Sequence, residues 1–427
     1  MTLRPYQVAA VEAMRSAAGA GSRAILLVQP TGTGKTRTLT EAVRGHVSRG
    51  GRPLWVAHRR ELLSQAEDAL RGGGLTPERD VWVRSIQELR ASGGPPATML
   101  VVDEAHHLPS SDWSQLRTEQ YPDALLLGAT ATPERGDGRG LGALFSALVV
   151  GITVREAMAQ GWLAPAEIVG PDRALDPGQL AQDPVDAYLE HAAGTQAILF
   201  ASSVELAQEY AARFTAKGVP SQAVFGAMTG RAATLEAYAA GAVRVLTSVA
   251  VLTEGVDIPA TETVILARGF GTTGGYLQAV GRGLRLSPGK TRCLVLDLRG
   301  CAHLHGGPDE ERTYSLDGRG IRRAADEIDV RFCPVCGAPV VGESCEQCGH
   351  AGEMRARPPR VLGLPMTRFA GLRREDDEAK AVRLSRWLAH AQAKEWREGQ
   401  ALHRFKGAYG AFPTRAVISR ARELAKR

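Results

Sequence analysis

Two short stretches of this 427-residue chain hold residue types that could do phosphate chemistry. The first is Gln29-Pro-Thr-Gly-Thr-Gly-Lys-Thr36, which follows an apolar run. Glycines at 32 and 34 let backbone N–H groups turn inward around phosphate oxygens. A helix opening there adds a dipole that favours anions. Thr31 and Thr33 complete the loop, Lys35 can reach the β- and γ-phosphates, and the Thr36 hydroxyl can bind Mg2+. The usual loop has glycine at position 29, where this chain has glutamine. The second stretch is Met99-Leu-Val-Val-Asp-Glu-Ala-His106, four apolar residues and then two carboxylates. Asp103 suits a Mg2+ site and Glu104 suits a base that orients and deprotonates an attacking water.

A third constellation is of another kind. Phe332-Cys-Pro-Val-Cys-Gly337 and Ser344-Cys-Glu-Gln-Cys-Gly349 are two matching knuckles, eight residues apart. Cys333, Cys336, Cys345 and Cys348 would give a closed tetrahedral Zn2+ site, structural and not catalytic. Redox-active thiols are the competing reading, and duplication of the knuckle argues against it. Cys301-Ala-His-Leu-His305 also has ligand types, but its place directly after an apolar run favours a packing role.

These groups need elements to hold them. Short apolar runs at Ala24–Val28, Pro53–Ala57, Val81–Val83, Met99–Val102 and Leu125–Leu127 have the length of buried parallel strands, with helix-compatible stretches between them. A second series runs through Ala197–Phe200, Gln222–Phe225, Val243–Leu246, Val264–Leu266 and Cys293–Leu296. The expected fold is α/β: two tandem parallel-sheet domains, 1–150 and 191–329, joined by a Pro- and Gly-containing connector, 151–190. A zinc ribbon at 330–352 and a mainly helical basic tail at 353–427 complete the expectation. The chain carries a net charge of +6; the tail holds 18 Lys+Arg against 8 Asp+Glu, an excess of ten, so the rest carries −4. That asymmetry suits contact with a phosphate backbone, or simply a solvated tail. No apolar run is long enough to span a bilayer, no leader precedes the motif that begins at residue 3, and the cysteine pattern fits a reducing compartment. A cytoplasmic protein with no membrane partner is expected.

Taken in order, the motifs resemble those of superfamily 2 helicases, with Gln29–Thr36 and Asp103–His106 as motifs I and II and a RecA-like fold for both sheet domains. The resemblance implies an ATPase driven by Mg2+-ATP. Leu3-Arg-Pro-Tyr-Gln7 resembles the upstream Q element, so Gln7 is expected to read adenine. Val56-Ala-His-Arg-Arg60 resembles motif Ia and Ser85-Ile-Gln87 the next strand-contact element, which implies nucleic-acid contacts for His58, Arg59, Ser85 and Gln87. Gly128-Ala-Thr-Ala-Thr132 resembles motif III, which couples nucleotide state to grip. Ala197–Gln208 resembles motif IV, with Ser203 as a contact, and Thr247–Pro259 resembles motif V, with Thr247 at the nucleic acid and Gly255 and Asp257 at the nucleotide. Tyr276–Arg285 has the Gln-x-x-Gly-Arg-x-x-Arg pattern of motif VI. The spacing of Gln278, Arg282 and Arg285 would place them on one helix face, from which guanidinium groups could stabilise the transferring phosphoryl group.

The Arg-Pro-Tyr-Gln start and Gly-Ala-Thr-Ala-Thr-Pro133 look more like DNA-acting members than DEAD-box RNA helicases. The knuckles and the tail segment Gly399–Pro413 resemble the RadD-like group of bacterial and phage helicases. This implies DNA repair, recombination or replication work, with protein partners in those processes. An RNA helicase and a DNA-binding accessory ATPase that does not separate strands remain alternatives.

Overall fold

The computed structural model describes residues 2–57, 60–107, 113, 116–135, 140–226, 228–249, 258, 260–317, 331–332, 339–340, 355–356, 359–369, 377–394, 398–409 and 412–425. The chain forms two compact units, Met1–Leu163 with Glu311–Ile321, and Ala164–Glu310 with Arg322–Arg427. Among the described residues no helix is long and apolar enough to cross a membrane.

The first unit contains α1 (Pro5–Gly19), β1 (Ala24–Val28), α2 (Lys35–Val47), β2 (Pro53–Ala57), α3 (Arg60–Gly72), β3 (Trp82–Ser85), α4 (Ile86–Ser92), β4 (Met99–Val102), β5 (Leu125–Thr130), β6 (Ala147–Val150) and α5 (Val154–Ala159). Its six strands are all parallel, in the order β3-β2-β4-β5-β1-β6. Strands β1, β2 and β4 are apolar and buried throughout because both faces of the sheet are covered there, whereas the edge strand β3 carries Arg84 and Ser85. In β1, Leu26 and Val28 enter one core with Leu54, Val56, Leu100 and Phe145, while Ile25 and Leu27 enter the other with Trp55, Val101 and Leu39. Alternate residues thus serve opposite faces, as the period of a strand requires. The segment after residue 310 also belongs here: Tyr314 and Leu316 pack on the first of these cores, and Gly142 N donates to Leu316 O at 2.8 Å.

The second unit contains β7 (Ala166–Gly170), β8 (Gln179–Leu180), α6 (Pro184–His191), β9 (Ala197–Phe200), α7 (Val204–Ala216), β10 (Ser221–Val224), α8 (Arg231–Ala239), β11 (Val245–Ser248), β12 (Thr263–Leu266), α9 (Thr273–Gly281), β13 (Cys293–Asp297) and α10 (Cys301–His305). Beyond them come the short strands β14 (Arg331–Phe332), β15 (Pro339–Val340), β16 (Arg355–Ala356), β17 (Arg360–Val361) and β18 (Thr367–Phe369), and the helices α11 (Asp377–Ala393), α12 (Glu398–Tyr409) and α13 (Arg415–Ala425). The large sheet runs β10-β11-β9-β12-β13-β7-β18.

Two features differ from the sequence expectation. Residues 151–190 are not a bare linker: β7 pairs with β13 in parallel, and α6 puts Val185 and Tyr188 into the second unit's core. Prolines mark the ends of these pieces and hide the short strand between them. The tail is not an appendage either. Its strand β18 pairs antiparallel with β7 and closes that edge of the sheet, and β17 pairs with β8. The tail helices have a core of their own, with Leu384, Trp387, Leu388, Phe405 and Val417. Trp387 and Phe405 are therefore packing residues, whereas Phe412 is half exposed.

Candidate active site

Parallel α/β sheets present their loops for ligand binding at the carboxyl ends of the strands. In the first unit, the loop after β1 and the carboxylates after β4 stand at that end, with the end of β5 between them. Gly34 starts α2 in the left-handed region, at φ 85°, which a side chain would disfavour. The turn brings Lys35 Nζ to 3.5 Å from Glu104 Oε1. The Thr36 hydroxyl donates to Asp103 Oδ2 at 2.7 Å. Two residues adjacent in sequence thus each meet one of the two carboxylates. A hydroxyl and a carboxylate converging in this way are hard oxygen donors of the kind Mg2+ takes.

Asp103 is under electrostatic load and Glu104 under backbone strain. Burial, and then the neighbouring Glu104, push Asp103 above the ordinary carboxylate range, against the pull of Lys35 and Thr36. Glu104 has φ 51°, unusual for a residue with a side chain, and its N–H donates to Asp103 Oδ1 at 2.9 Å. Such backbone strain clusters at sites where geometry matters more than local comfort.

The loop itself is tied down by residues the motif does not specify. Thr33 O accepts from the Tyr6 hydroxyl at 2.6 Å, from Gln29 Nε2 at 3.0 Å and from Gln7 Nε2 at 3.3 Å. Gln29 Oε1 also accepts from the Thr38 hydroxyl at 3.2 Å. The glutamine that departs from the usual pattern therefore braces the loop against α2. Gln7 is buried; its Oε1 accepts from Arg4 N at 3.0 Å, and its amide also faces Gly34 O at 3.3 Å. Thr31 and Thr33 are buried, and the Thr33 hydroxyl turns back to Pro30 O at 2.7 Å. The Thr33 hydroxyl, next to Gly32, is therefore engaged within the loop itself.

The remaining expected positions are distributed unevenly. Ser85 caps α4, accepting from Glu88 N at 3.1 Å, and Gln87 lies exposed two residues on, in the first turn. Ser203 caps α7 in the same manner, accepting from Leu206 N at 3.2 Å. Thr247 does not fit its expected role: it is fully buried, and its hydroxyl donates to Ala207 O at 2.6 Å. The internal bond takes up the proton that a phosphate contact would use. His58, Arg59, Gly255, Asp257 and the four cysteines Cys333, Cys336, Cys345 and Cys348 lie outside the described residues.

In the second unit the expected common helix face for Gln278, Arg282 and Arg285 is corrected. Helix α9 ends at Gly281, Arg282 is its C-cap, and Arg285 lies in the turn that follows. Gln278 and Arg282 are buried. The chain turns because Gly283 packs tightly: a Cβ there would meet Cys293 Sγ at 2.5 Å and Val264 Cγ2 at 2.8 Å. Lys290 then gathers the turn, its ammonium donating to Thr261 O at 2.5 Å, Arg285 O at 2.7 Å and Gly283 O. Burial lowers the pKa of this lysine. Arg285 is thus placed by a lysine anchor and not by helical spacing.

The Cys301–His305 cluster is occupied structurally. His303 Nε2 is 2.9 Å from Pro171 O, His305 Nε2 is 2.8 Å from Phe270 O, and the Cys301 thiol donates to Arg268 O at 3.5 Å. Asp297 accepts from Cys301 N and Ala302 N, each at 2.8 Å. Sequence reasoning missed Tyr6, Lys290 and the bracing role of Gln29. Only Tyr6 carried a signal, its place beside Gln7.

Comparison with known proteins bears on this geometry. The family described as "Type III restriction enzyme, res subunit" matches residues 1–80 and 75–135, and the family "Helicase conserved C-terminal domain" matches residues 181–287. A 51.5 kDa protein of a Lactococcus phage is 27% identical over 353 residues, covering 76% of this chain and 77% of that one. A putative DNA 3′–5′ helicase of Halobacterium salinarum is 26% identical over 384 residues, covering 78% of this chain and 60% of that one. The chain thus spans about three-fifths of that helicase. A fragment of a putative type I restriction enzyme HsdR subunit from Vibrio vulnificus shares the fold, with TM-score 0.58 and 21% identity over 72% of this chain and 66% of that one. The first family covers the strands that present Lys35, Asp103 and Glu104, the second covers strands β9 to β12 together with Arg282, and together they place this chain among the superfamily 2 helicases, which are nucleic-acid-dependent ATPases.

Proposed function

We propose that the chain is an ATP-driven motor that moves on or remodels DNA. The observation that carries the reading is the paired convergence of Lys35 on Glu104 and of Thr36 on Asp103. Lys35 and the loop amides would bind the phosphates. Thr36 and Asp103 would hold Mg2+, which supplies charge neutralisation across the phosphate oxygens. Glu104, fixed by its own backbone bond to Asp103, would orient the attacking water and take its proton. Arg282 and Arg285, with Gln278, would supply positive charge to the transferring phosphoryl group. Gly255 and Asp257 would face the nucleotide, and His58, Arg59, Ser85, Gln87 and Ser203 the strand.

DNA is favoured over RNA by the motif wording at Arg4–Gln7 and Gly128–Pro133, and by the relative named as a DNA helicase. The RadD-like resemblance points to repair, recombination or replication. Zn2+ belongs to the same proposal. Phe332 pairs with Pro339 in a short antiparallel ladder, so the chain between them, which includes Cys333 and Cys336, links two adjacent strands.

The test is the steady-state ATPase rate with no nucleic acid, single-stranded DNA, duplex DNA or single-stranded RNA, with Lys35→Ala as the control. Selective stimulation by DNA is expected. Stimulation by RNA alone would replace DNA as substrate, and no stimulation by any of them would favour an accessory ATPase that waits for a protein.

A further inference from the structure

One cavity of about 460 Å³ lies inside the second unit, where the tail meets the sheet. Its wall comes from three distant stretches of chain: the loop after β7, strand β17, and helices α11 and α12. Among the described residues five arginines line it, Arg173, Arg360, Arg383, Arg386 and Arg404, against one carboxylate, Asp176. Arg173 pairs with Asp172 at 2.9 Å and Arg404 with Asp176 at 3.0 Å. Arg360 and Arg386 line the cavity in addition to these pairs.

The cavity is built, not incidental. Trp387 Nε1 donates to Asp176 Oδ1 at 3.1 Å, and the guanidinium groups of Arg383 and Arg404 each stand 6.0 Å from the Trp387 ring centroid. Arg299 fixes the opposite loop by donating to Gln179 O at 2.5 Å and to Asp176 O. The described long basic side chains of the lining are all arginine, whose planar forks suit phosphate oxygens.

We infer that this arginine cavity binds the phosphate backbone of the nucleic-acid strand, as a site separate from the motor motifs. The inference rests on the motor reading above. The Trp387 ring is buried, its edge given to Asp176 and its surroundings to guanidinium groups, so it offers no face for stacking a base. Contact is therefore with phosphates and independent of sequence. The cavity gives the tail's positive charge a defined location and makes tail grip a property of the second lobe.

The experiment measures binding of a labelled single-stranded DNA oligonucleotide to the full chain across a salt series. It compares wild type with Arg360→Ala/Arg386→Ala and with Arg360→Lys/Arg386→Lys. Removing two phosphate contacts should flatten the slope of log affinity against log salt by about 1.4, at about 0.7 per contact, and weaken binding about tenfold at moderate salt. The lysine pair should restore most of the slope and only part of the affinity, and the ATPase rate without nucleic acid should not change. An unchanged slope in the alanine pair, with wild-type binding intact, overturns the cavity assignment and leaves the motor reading standing. A wild-type chain that binds neither DNA nor RNA overturns both. Binding of inorganic tripolyphosphate is measured in parallel: its loss in the alanine pair with an unchanged DNA slope would reassign the cavity to a free anion and overturn the strand assignment.

Discussion

His106 Nδ1 stands 3.0 Å from the Thr130 hydroxyl, at the ends of two neighbouring strands. The Thr130 proton is already given to Thr132 O at 2.7 Å, so the bond to His106 needs a proton on Nδ1. The same nitrogen is 3.5 Å from Glu104 Oε2. One imidazole thus touches both the base that would activate water and the strand end that carries the Gly128–Thr132 motif. Thr130→Val removes the acceptor while keeping the shape. Nucleic-acid-stimulated ATPase should fall about tenfold, the worth of one well-placed hydrogen bond, with ATP affinity within about twofold. A stimulated rate equal to wild type would show that this bond carries no coupling.

Glu104→Gln should retain ATP binding and lose turnover by about 10²–10³-fold, since the amide can orient a water but not take its proton. Rapid-quench measurement of a single turnover separates the chemical step from product release. A wild-type chemical rate in this variant would remove Glu104 from the base role.

Gln29→Gly restores the usual loop glycine and should make the protein worse. It deletes a buried brace between Thr33 O and the Thr38 hydroxyl. Two lost hydrogen bonds and a small void should cost roughly 2–4 kcal/mol. Thermal unfolding should report a lower midpoint, and the KM for ATP should rise. An unchanged midpoint would mean that the loop holds its shape without the brace.

Zinc content and thiol counting test the knuckles together. One Zn2+ per chain is expected, with four thiols protected until a chelator is added. Cys293 should stay inert in both states while the sheet is folded, because it is buried and its thiol is pushed up to about 12 by burial. Four thiols reacting at once in protein prepared with added Zn2+, with none retained, would refute the site.

Deleting residues 353–427 should do more than weaken DNA binding. It uncovers the edge of β7 at Ile168–Gly170 and removes the Trp387 and Arg404 contacts to Asp176. Unpaired strand edges invite association. The truncated chain should melt lower and aggregate more readily than the full chain. Equal melting would show that the tail strand is dispensable.

The sequence made the site more legible than the fold around it. Lys35, Thr36, Asp103 and Glu104 were readable because phosphate and Mg2+ chemistry restricts residue types at fixed spacings, and the structure brings all four together. Most strands of both sheets were readable because a doubly covered parallel strand is a continuous apolar run. What escaped was long-range. Ala166–Gly170 sits among prolines and glycines, and Thr367–Phe369 is three residues long and polar at its start, so neither announces a strand without its partner. Arg285 was misplaced because helical spacing was extended through Gly281 and Gly283, where the chain turns around Lys290.

The pairing of Thr367 with Gly170 joins residues separated by 197 positions in the chain. A ribosome adds about 5–20 residues per second, so the edge of β7 waits about 10–40 seconds after its own synthesis before its partner exists. For that interval the nascent second lobe carries an open apolar strand. Its burden on chaperones is set by translation speed, and slow codons between residues 170 and 367 should lower the yield of native protein with no change in its amino-acid sequence.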